Sequence, residues 1–311
     1  MTTHCIIMPL YNDWSSAGIL IRKIDQQVAS WQGNISVVLV NDGSQEQMPS
    51  THEWIGDCDF IEHICVIDLV CNMGHQRAIA VGLAYAHNLG GFDSVFIMDS
   101  DGEDPPHELN DLHRSGRDNP GAIITADRAS RSEGPLFRFW YWCYKLLFFL
   151  LTGTQIRFGN FSHIPAHQLD RLVHYPDLWN SLSGTLKRSG LPIKGIPSHR
   201  GMRYVGPSKM NFNGLVIHGM SAIAVLKEAV MVRLMIMAAL VWIGAALLWA
   251  IVAVAGYGPW RSWLALLALF GLQTHVVLAM ILFTHLNRRA HALQGPAMFW
   301  QQYVRAIHSL K

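Results

Sequence analysis

Two apolar runs limit what this chain can become more than any other feature. Residues 231–255, "MVRLMIMAALVWIGAALLWAIVAVA", carry one charge, Arg233, and residues 262–286, "SWLALLALFGLQTHVVLAMILFTHL", carry no Asp, Glu, Lys or Arg. A helix needs roughly 20 apolar residues to cross the hydrocarbon layer of a bilayer, and each run exceeds that. Only "GYGPWR" separates them, so a tight transmembrane hairpin is expected, with a helical pair buried in a soluble core as the alternative. Arg233 stands near the entry and Arg288 and Arg289 follow the exit, whereas the connector holds Arg261 alone. The positive-inside rule then puts both ends in the cytoplasm. Trp242, Trp249, Trp260 and Trp263 are candidates for the interfaces. His275 lies within the second run, where a packing histidine and a functional polar site are both open readings.

These runs account for a composition that is half hydrophobic and only 15% charged over 311 residues, too apolar for an ordinary soluble enzyme. The formal charge of +2 gives no basic field, and no nucleic-acid partner is expected. Cys5, Cys58, Cys65, Cys71 and Cys143 form no CxxC pair and have no histidine at metal spacing. They read as reduced thiols of a cytosol-facing protein. "MTTHCIIMPLYND" lacks a basic start and a long apolar stretch, so no cleavable signal is expected.

The first 130 residues alternate between two periods. "HCIIMPL" reads as a short buried strand, and Ile19, Leu20, Ile24 and Val28 follow at near-helical spacing. "ISVVLVNDGS", "HICVIDL", "SVFIMDSD" and "GAIITADR" read as further strands. Between the third and fourth, "GHQRAIAVGLAYAHNLG" reads as a helix stopped by Gly90 and Gly91. Strands alternating with helices predict a mostly parallel sheet covered on both faces. Ligands of such sheets sit at the carboxyl ends of the strands. Beyond residue 130, "FRFWYWCYKLLFFLLTG" contains Arg138 and Lys145 and is expected to be an interfacial amphipathic helix, a third span or a core helix being the alternatives.

The strand tips carry the chemistry. "IMDSDGEDPP", residues 97–106, crowds Asp99, Asp101, Glu103 and Asp104 at a strand end. Carboxylates brought this close repel, so a cation between them is expected. Mg²⁺ or Mn²⁺ fits an all-oxygen set of Asp99 and Asp101, with Glu103 joining directly or through water; a solvated acidic turn is the plainer reading of a DxD alone. "VLVNDGS" places Asp42 before Gly43, where it can accept from a base N–H or a ribose hydroxyl, or close an Asx turn. Tyr11, in "MPLYND", can stack on a base.

Taken in order, "MPLYND", "VLVNDGS", "NMGHQRAIAVGL" and "IMDSDGEDPP" resemble the family-2 glycosyltransferases of the GT-A fold, over residues 4 to about 130. "RYVGPSK", Arg203 to Lys209, and the two apolar runs extend the resemblance to the branch that glycosylates polyprenyl phosphates, whose members include dolichol-phosphate mannose synthase and bactoprenol glucosyltransferases. The resemblance implies an α/β, Rossmann-like GT-A domain over residues 1–135, an acceptor loop with interfacial and juxtamembrane helices over 136–229, a transmembrane hairpin over 230–287 and a cytoplasmic tail over 288–311. The chain departs from the family pattern at Glu103, where Gln is customary, at Asn12 and Asp13 in place of "NE", at Asn160 in "GNFSHIP" where an acid is usual, and at His75 where Lys is common.

What the resemblance implies chemically is an inverting, metal-dependent hexosyl transfer at the inner face of the cytoplasmic membrane. The donor would be a UDP- or GDP-linked sugar, held by Pro9, Tyr11, Asn12, Asp42, Gly43, Gly74, Arg77, Ser100 and Asp101. The acceptor would be a polyprenyl phosphate, held by Arg128, Arg131, Arg203, Ser208 and Lys209. Asp99, Asp101, Arg128, Arg131, Arg203 and Lys209 would carry catalysis, with Mg²⁺ or Mn²⁺ on Asp99, Asp101 and Glu103. A homo-oligomer is compatible. Transfer to another lipid or a polysaccharide, and a silent sugar-nucleotide-binding membrane protein, are the competing readings; "QQYVRA" near residue 301 is not the Q-x-x-R-W motif of processive synthases.

Overall fold

A computed structural model describes residues 2–50, 54–128, 135–155, 158–206, 220–255, 258–289 and 294–311. The described elements run in chain order as β1 (Thr3–Leu10), α1 (Trp14–Val28), β2 (Asn34–Asn41), β3 (Ile61–Leu69), α2 (His75–Leu89), β4 (Ser94–Ile97), α3 (Leu109–Asp118) and β5 (Ile123–Arg128). They continue as α4 (Pro135–Thr152), β6 (Phe158–Pro165), α5 (Ala166–Leu172), α6 (Leu182–Ser189), β7 (Ile193–Ser198), α7 (Lys227–Val254), α8 (Gly258–Arg289) and β8 (Val304–Ser309). They fall into two compact units. One comprises residues 1–133, 156–225 and 294–311; the other comprises 134–155 and 226–293.

The first unit is built on an eight-stranded sheet of order β7-β5-β6-β4-β1-β2-β3-β8. β1 runs parallel to β2 and β4, β2 to β3, and β5 to β7, while β6 and β8 pair antiparallel with their neighbours. The central strands are buried on both faces, which is why they read as unbroken apolar runs. Along β1, Ile6, Met8 and Leu10 join the core on one face with Ala17, Leu20, Ile21 and Ile24 of α1. Cys5 and Ile7 join the other, with Ile79, Val81 and Leu83 of α2. Alternation along an extended chain sends neighbours to opposite faces. α2 lies close to the sheet because it presents Gly82: a Cβ there would stand 2.5 Å from Ile7 Cγ2.

The GT-A-like, mostly parallel architecture is as expected, but the sheet does not end at residue 135. β6 and β7 come from the stretch assigned to an acceptor loop and juxtamembrane helices, and β8 comes from the stretch assigned to a tail. β8 pairs along β3 from Ser309↔Cys65 to Val304↔Leu69. An uncovered β3 edge would leave a row of backbone groups without partners, and β8 supplies them. All five cysteines are free thiols.

The second unit holds α4, α7 and α8. α7 and residues 262–282 of α8 are long and apolar enough to cross a membrane. They pack side by side, and Gly271 is where they approach closely: a Cβ there would stand 2.7 Å from Trp242 Cβ. Small residues serve such contacts in membrane helices. His275 donates through Nδ1 to the Met235 carbonyl at 3.1 Å, which makes it a packing histidine of this pair. α4 packs on α7 and turns Trp142, Leu147 and Leu150 outward. Gly153, just after α4, has φ +71°, and a Cβ there would strike the Arg233 guanidinium at 2.0 Å.

Candidate functional site

The parallel register brings the carboxyl ends of β1, β2 and β4 together, with Leu10 opposite Asn41 and Ile7 opposite Ile97. The loops leaving these strands form one rim. Several residues expected to meet a donor prove to hold that rim in shape. Asn12 has φ +50°, a left-handed conformation that asparagine tolerates. Its Oδ1 accepts from the N–H groups of Gln45 and Glu46 at 2.8 and 3.1 Å, and its own N–H donates to Ser44 Oγ at 2.8 Å. Asp42, 3% exposed, accepts from the N–H groups of Met73 and Gly74 at 2.7 and 2.9 Å. Burial pushes its carboxyl up, against the pull of those N–H groups and of His75 and Arg77. Gly43 does permit a close approach, but to the chain itself: with φ +66°, a Cβ would stand 2.6 Å from the Asn72 nitrogen. Pro9 is buried in β1 opposite Val40. Gly74, φ +93°, precedes α2 with open space around it, and the exposed Arg77 caps the Met73 carbonyl at 2.7 Å. Tyr11 is half-buried at the β1 tip, and Ser100 is buried.

The acidic turn after β4 is ordered by its own backbone. Asp104 accepts from the Asp99 N–H at 2.8 Å, and Asp101 Oδ1 accepts from the Glu103 N–H at 2.9 Å. Asp99 Oδ1 faces His75 Nε2 at 3.2 Å. Asp101 Oδ2 accepts from Arg203 Nη1 at 2.8 Å, while Arg203 Nη2 pairs with Asp13 beyond the β1 tip. Glu103 pairs with Arg200. The segment carrying these arginines, residues 199–205, lies directly on the turn. The Gly201 N–H donates to the Glu103 carbonyl at 2.8 Å and the Tyr204 N–H to the Asp101 carbonyl at 3.0 Å. The Tyr204 ring packs so closely that a Cβ on Gly102 would meet it at 2.6 Å. Glu108 fixes the start of the segment, accepting from Ser198 Oγ at 2.6 Å and the His199 N–H at 2.8 Å.

The electrostatics are those of crowded acids. Burial and the neighbouring Asp99 and Glu103 charges push the Asp101 carboxyl up to about 6, although the Glu103 N–H and Arg203 oppose the shift. Burial disfavours the charged form of His75, but Asp99, Asp104 and Asp101 outweigh it and the ring is raised above its ordinary value.

The expected metal set of Asp99, Asp101 and Glu103 is not assembled. Among the described residues no group of three or more His, Cys, Asp or Glu is placed to hold an ion together. The reason is electrostatic: each acid faces a different cationic or ionisable partner, His75, Arg203 or Arg200, and Glu103 is drawn to the last. Asp99 and Asp101 nonetheless fit a Mg²⁺- or Mn²⁺-type ion. Such ions are commonly held by one or two carboxylates, with waters and substrate phosphates completing the shell, and the turn offers hard oxygen donors at one strand tip.

Of the basic residues, Arg203 is brought to the acids. Arg128 ends β5 opposite Ser198, and its backbone alone is described; Arg131, Ser208 and Lys209 lie outside the described residues. Sequence reasoning missed Asp13 and Arg200 as partners in the rim, and it missed Gln76. It noted His75 and Asn160 separately, as departures, without pairing them. In the structure Asn160 Nδ2 meets His75 Nε2 at 2.9 Å. The family model for glycosyl transferase family 2 matches residues 5–171.

The chain belongs to glycosyl transferase family 2. Among curated relatives of this family-2 chain, the uncharacterized glycosyltransferase YkcC of Bacillus subtilis is 24% identical over 43% of the chain and 40% of the relative. An undecaprenyl-phosphate 4-deoxy-4-formamido-L-arabinose transferase of Pseudomonas fluorescens is 27% identical over 44% of the chain and 39% of the relative. The chain therefore spans about two fifths of these relatives' length. Among solved structures, glucosyl-3-phosphoglycerate synthase of Mycobacterium tuberculosis, in complex with Mn²⁺, UDP-glucose and phosphoglyceric acid, superposes with a TM-score of 0.53 at 16% identity, over 73% of this chain and 79% of that one. Mannosyl-3-phosphoglycerate synthase of Rubrobacter xylanophilus gives a TM-score of 0.50 at 14% identity, over 73% of each chain. At such identities the likeness is one of fold.

Proposed function

We propose that this family-2 chain is a membrane-anchored, inverting glycosyltransferase that moves a sugar from a nucleotide diphosphate to a polyprenyl phosphate. The observation that carries the reading is Arg203, which reaches from the segment before the apolar hairpin to Asp101 and Asp13 at the strand rim. The acids suited to a donor and a base suited to an acceptor thus share one place. The curated relatives that act on undecaprenyl phosphate and the solved neighbour crystallised with Mn²⁺ and UDP-glucose support the choice of substrates.

Asp99 and Asp101 would hold a divalent cation, which when bound supplies positive charge for the departing nucleoside diphosphate. The acceptor phosphate is anionic near neutral pH, so the chain need provide no strong base. Its task is to gather two anions that repel each other. Arg203 offers a planar pair of donors suited to a phosphate, with Arg128, Arg131, Ser208 and Lys209 as further acceptor-binding groups. Direct displacement at the anomeric carbon inverts its configuration. The hairpin would keep the site at headgroup depth on the cytoplasmic face.

The test is a panel of UDP- and GDP-sugars with Mg²⁺ or Mn²⁺ and undecaprenyl phosphate in detergent, read as lipid-linked product. Product that disappears on chelation is the expected outcome. Transfer to a soluble phosphate ester with none to the lipid would replace the acceptor. Donor binding without turnover on any acceptor would leave a silent sugar-nucleotide-binding protein.

A further inference from the structure

The carboxyl ends of β1, β2 and β3 are tied together by one row of side chains, and the row starts on β8. In the register of the sheet Asn41 of β2 stands opposite Asp68 of β3. Ala306 of β8 stands opposite Asp68 on its other side, and His308 follows two residues on, opposite Val66. Residues two apart on a strand share a face, so the side chains of Asn41, Asp68 and His308 meet there. His308 Nε2 lies 3.0 Å from Asp68 Oδ2, and Asn41 Nδ2 donates to Asp68 Oδ1 at 2.7 Å. An ionised carboxylate only accepts, so the ring presents an N–H to it. Asn41 is buried, and its Oδ1 accepts from the Ser44 N–H at 3.1 Å. That backbone group can only donate. The amide is therefore fixed at both ends: reversed, it would set a donor against the Ser44 N–H and an acceptor against the carboxylate. Beyond Ser44 the row runs into Asn12, whose bonds to Ser44, Gln45 and Glu46 hold the β1 tip.

We infer that His308 is a positioning residue for the donor rim: through Asp68 it fixes the Asn41 amide, and with that amide the turn of residues 42–46 on which a nucleotide sugar would rest. The terminal torsion of an aspartate is broad, and an N–H on each of its two oxygens narrows it. Neither His308 nor Asp68 has to touch the donor. What the row supplies is order before a ligand arrives, and a rim already in its bound shape loses less freedom on binding. The role in donor binding rests on the proposed reading of this rim as the nucleotide-sugar site; the tie between β8 and the turn stands without it.

The test compares the full chain in detergent with two variants. His308→Leu keeps a bulky side chain on β8 but has no N–H to give. His308→Gln brings an amide N–H to the place of Nε2. Hydrogen exchange followed by mass spectrometry, with no nucleotide present, reads the tie. Peptides over residues 43–47 should exchange about tenfold faster in His308→Leu, the scale of one lost hydrogen bond to a charged group. They should exchange at the wild-type rate in His308→Gln, with β8 and the centre of β2 protected in both. A folded His308→Leu protein with wild-type exchange over the turn would overturn the inference. So would acceleration that spreads through β8, the mark of a merely structural role, or equal acceleration in both variants. Calorimetric titration with UDP and with GDP, in the presence of Mn²⁺, then reads the rim. The nucleotide that binds the wild type should bind His308→Leu about five- to tenfold more weakly, and His308→Gln as it binds the wild type. A faster-exchanging turn with unchanged affinity would keep the tie and refute the donor role. A wild type that binds neither nucleotide would sink the proposed function, and the exchange comparison alone would then decide the tie.

Discussion

Asp101 is under strain from its neighbours: it is half-buried, repelled by Asp99 and Glu103, and held by Arg203. Under the proposed function this carboxylate has a task that an amide cannot perform. Asp101→Asn should leave the protein folded and reduce sugar transfer at least about 100-fold, the effect of losing a few kcal/mol of charge stabilisation at the reacting centre. Turnover and a thermal melt on the same preparation check both halves. A second group of residues opposes folding in acid. His4, His113 and His163 cluster with Trp31 and Phe96 in one aromatic group. Burial lowers all three rings, His113 to about 4 and His163 to about 3, with nearby cations and one another adding to it for these two. The unfolded chain would take up these protons near 6.5, so between about 6.5 and 3 it binds more protons than the folded one, and stability falls as pH falls. Melting temperature should hold above that range and drop through it, with His163→Phe flattening the drop. At this scale the acids were legible, because strand-end polarity shows in the chain itself. The His75–Asn160 contact was not: it exists only because β6 lies antiparallel beside β4, which neither residue announces.

Among the elements, those buried on two faces were the readable ones. β1, β2, β4 and α2 appear where the apolar runs place them. β8 alternates half-buried with exposed positions, β7 mixes them without a regular period, and both contain charged or polar residues, so their short patterns are indistinguishable from loop until a partner edge is known. The packing of α2 on the sheet has one narrow point. Gly82→Ala would force a methyl toward Ile7 and Val40 and should destabilise the protein by about 1–3 kcal/mol, the usual range for overpacking, read as a lower denaturation midpoint. The segment 199–205 has a different character, held by ion pairs and two backbone hydrogen bonds with the Tyr204 ring as its contact with the core. Its Gly201 and Tyr204 amides should exchange hydrogen faster once Mn²⁺ competes with Arg203 for Asp101; equal protection with and without the ion would show that the two do not compete.

For the whole molecule, the strand order constrains sidedness independently of any charge rule. β5 precedes α4 and β6 follows it, yet the two strands pair directly. β3 precedes α7 and α8 and β8 follows them, yet these also pair. A sheet cannot be divided by a bilayer, so the chain must cross an even number of times in each interval. α4 therefore does not make a single crossing, which removes the third-span reading, and a hairpin of α7 and α8 that spans must return to the side of the sheet. In sealed inverted vesicles, a cysteine introduced at Gly258 should resist an impermeant thiol reagent, while one introduced at Lys311 should react on the side where the donor is used; reaction of both from one side would refute the spanning hairpin.

The position of β8 also sets an order of events during synthesis. The ribosome makes this strand after both long apolar helices, so the outer edge of β3 waits, uncovered, until the chain beyond them has been made. If the hairpin spans as proposed, completion of the sheet follows its delivery, and a chain that stops short of β8 keeps an open seam along β3.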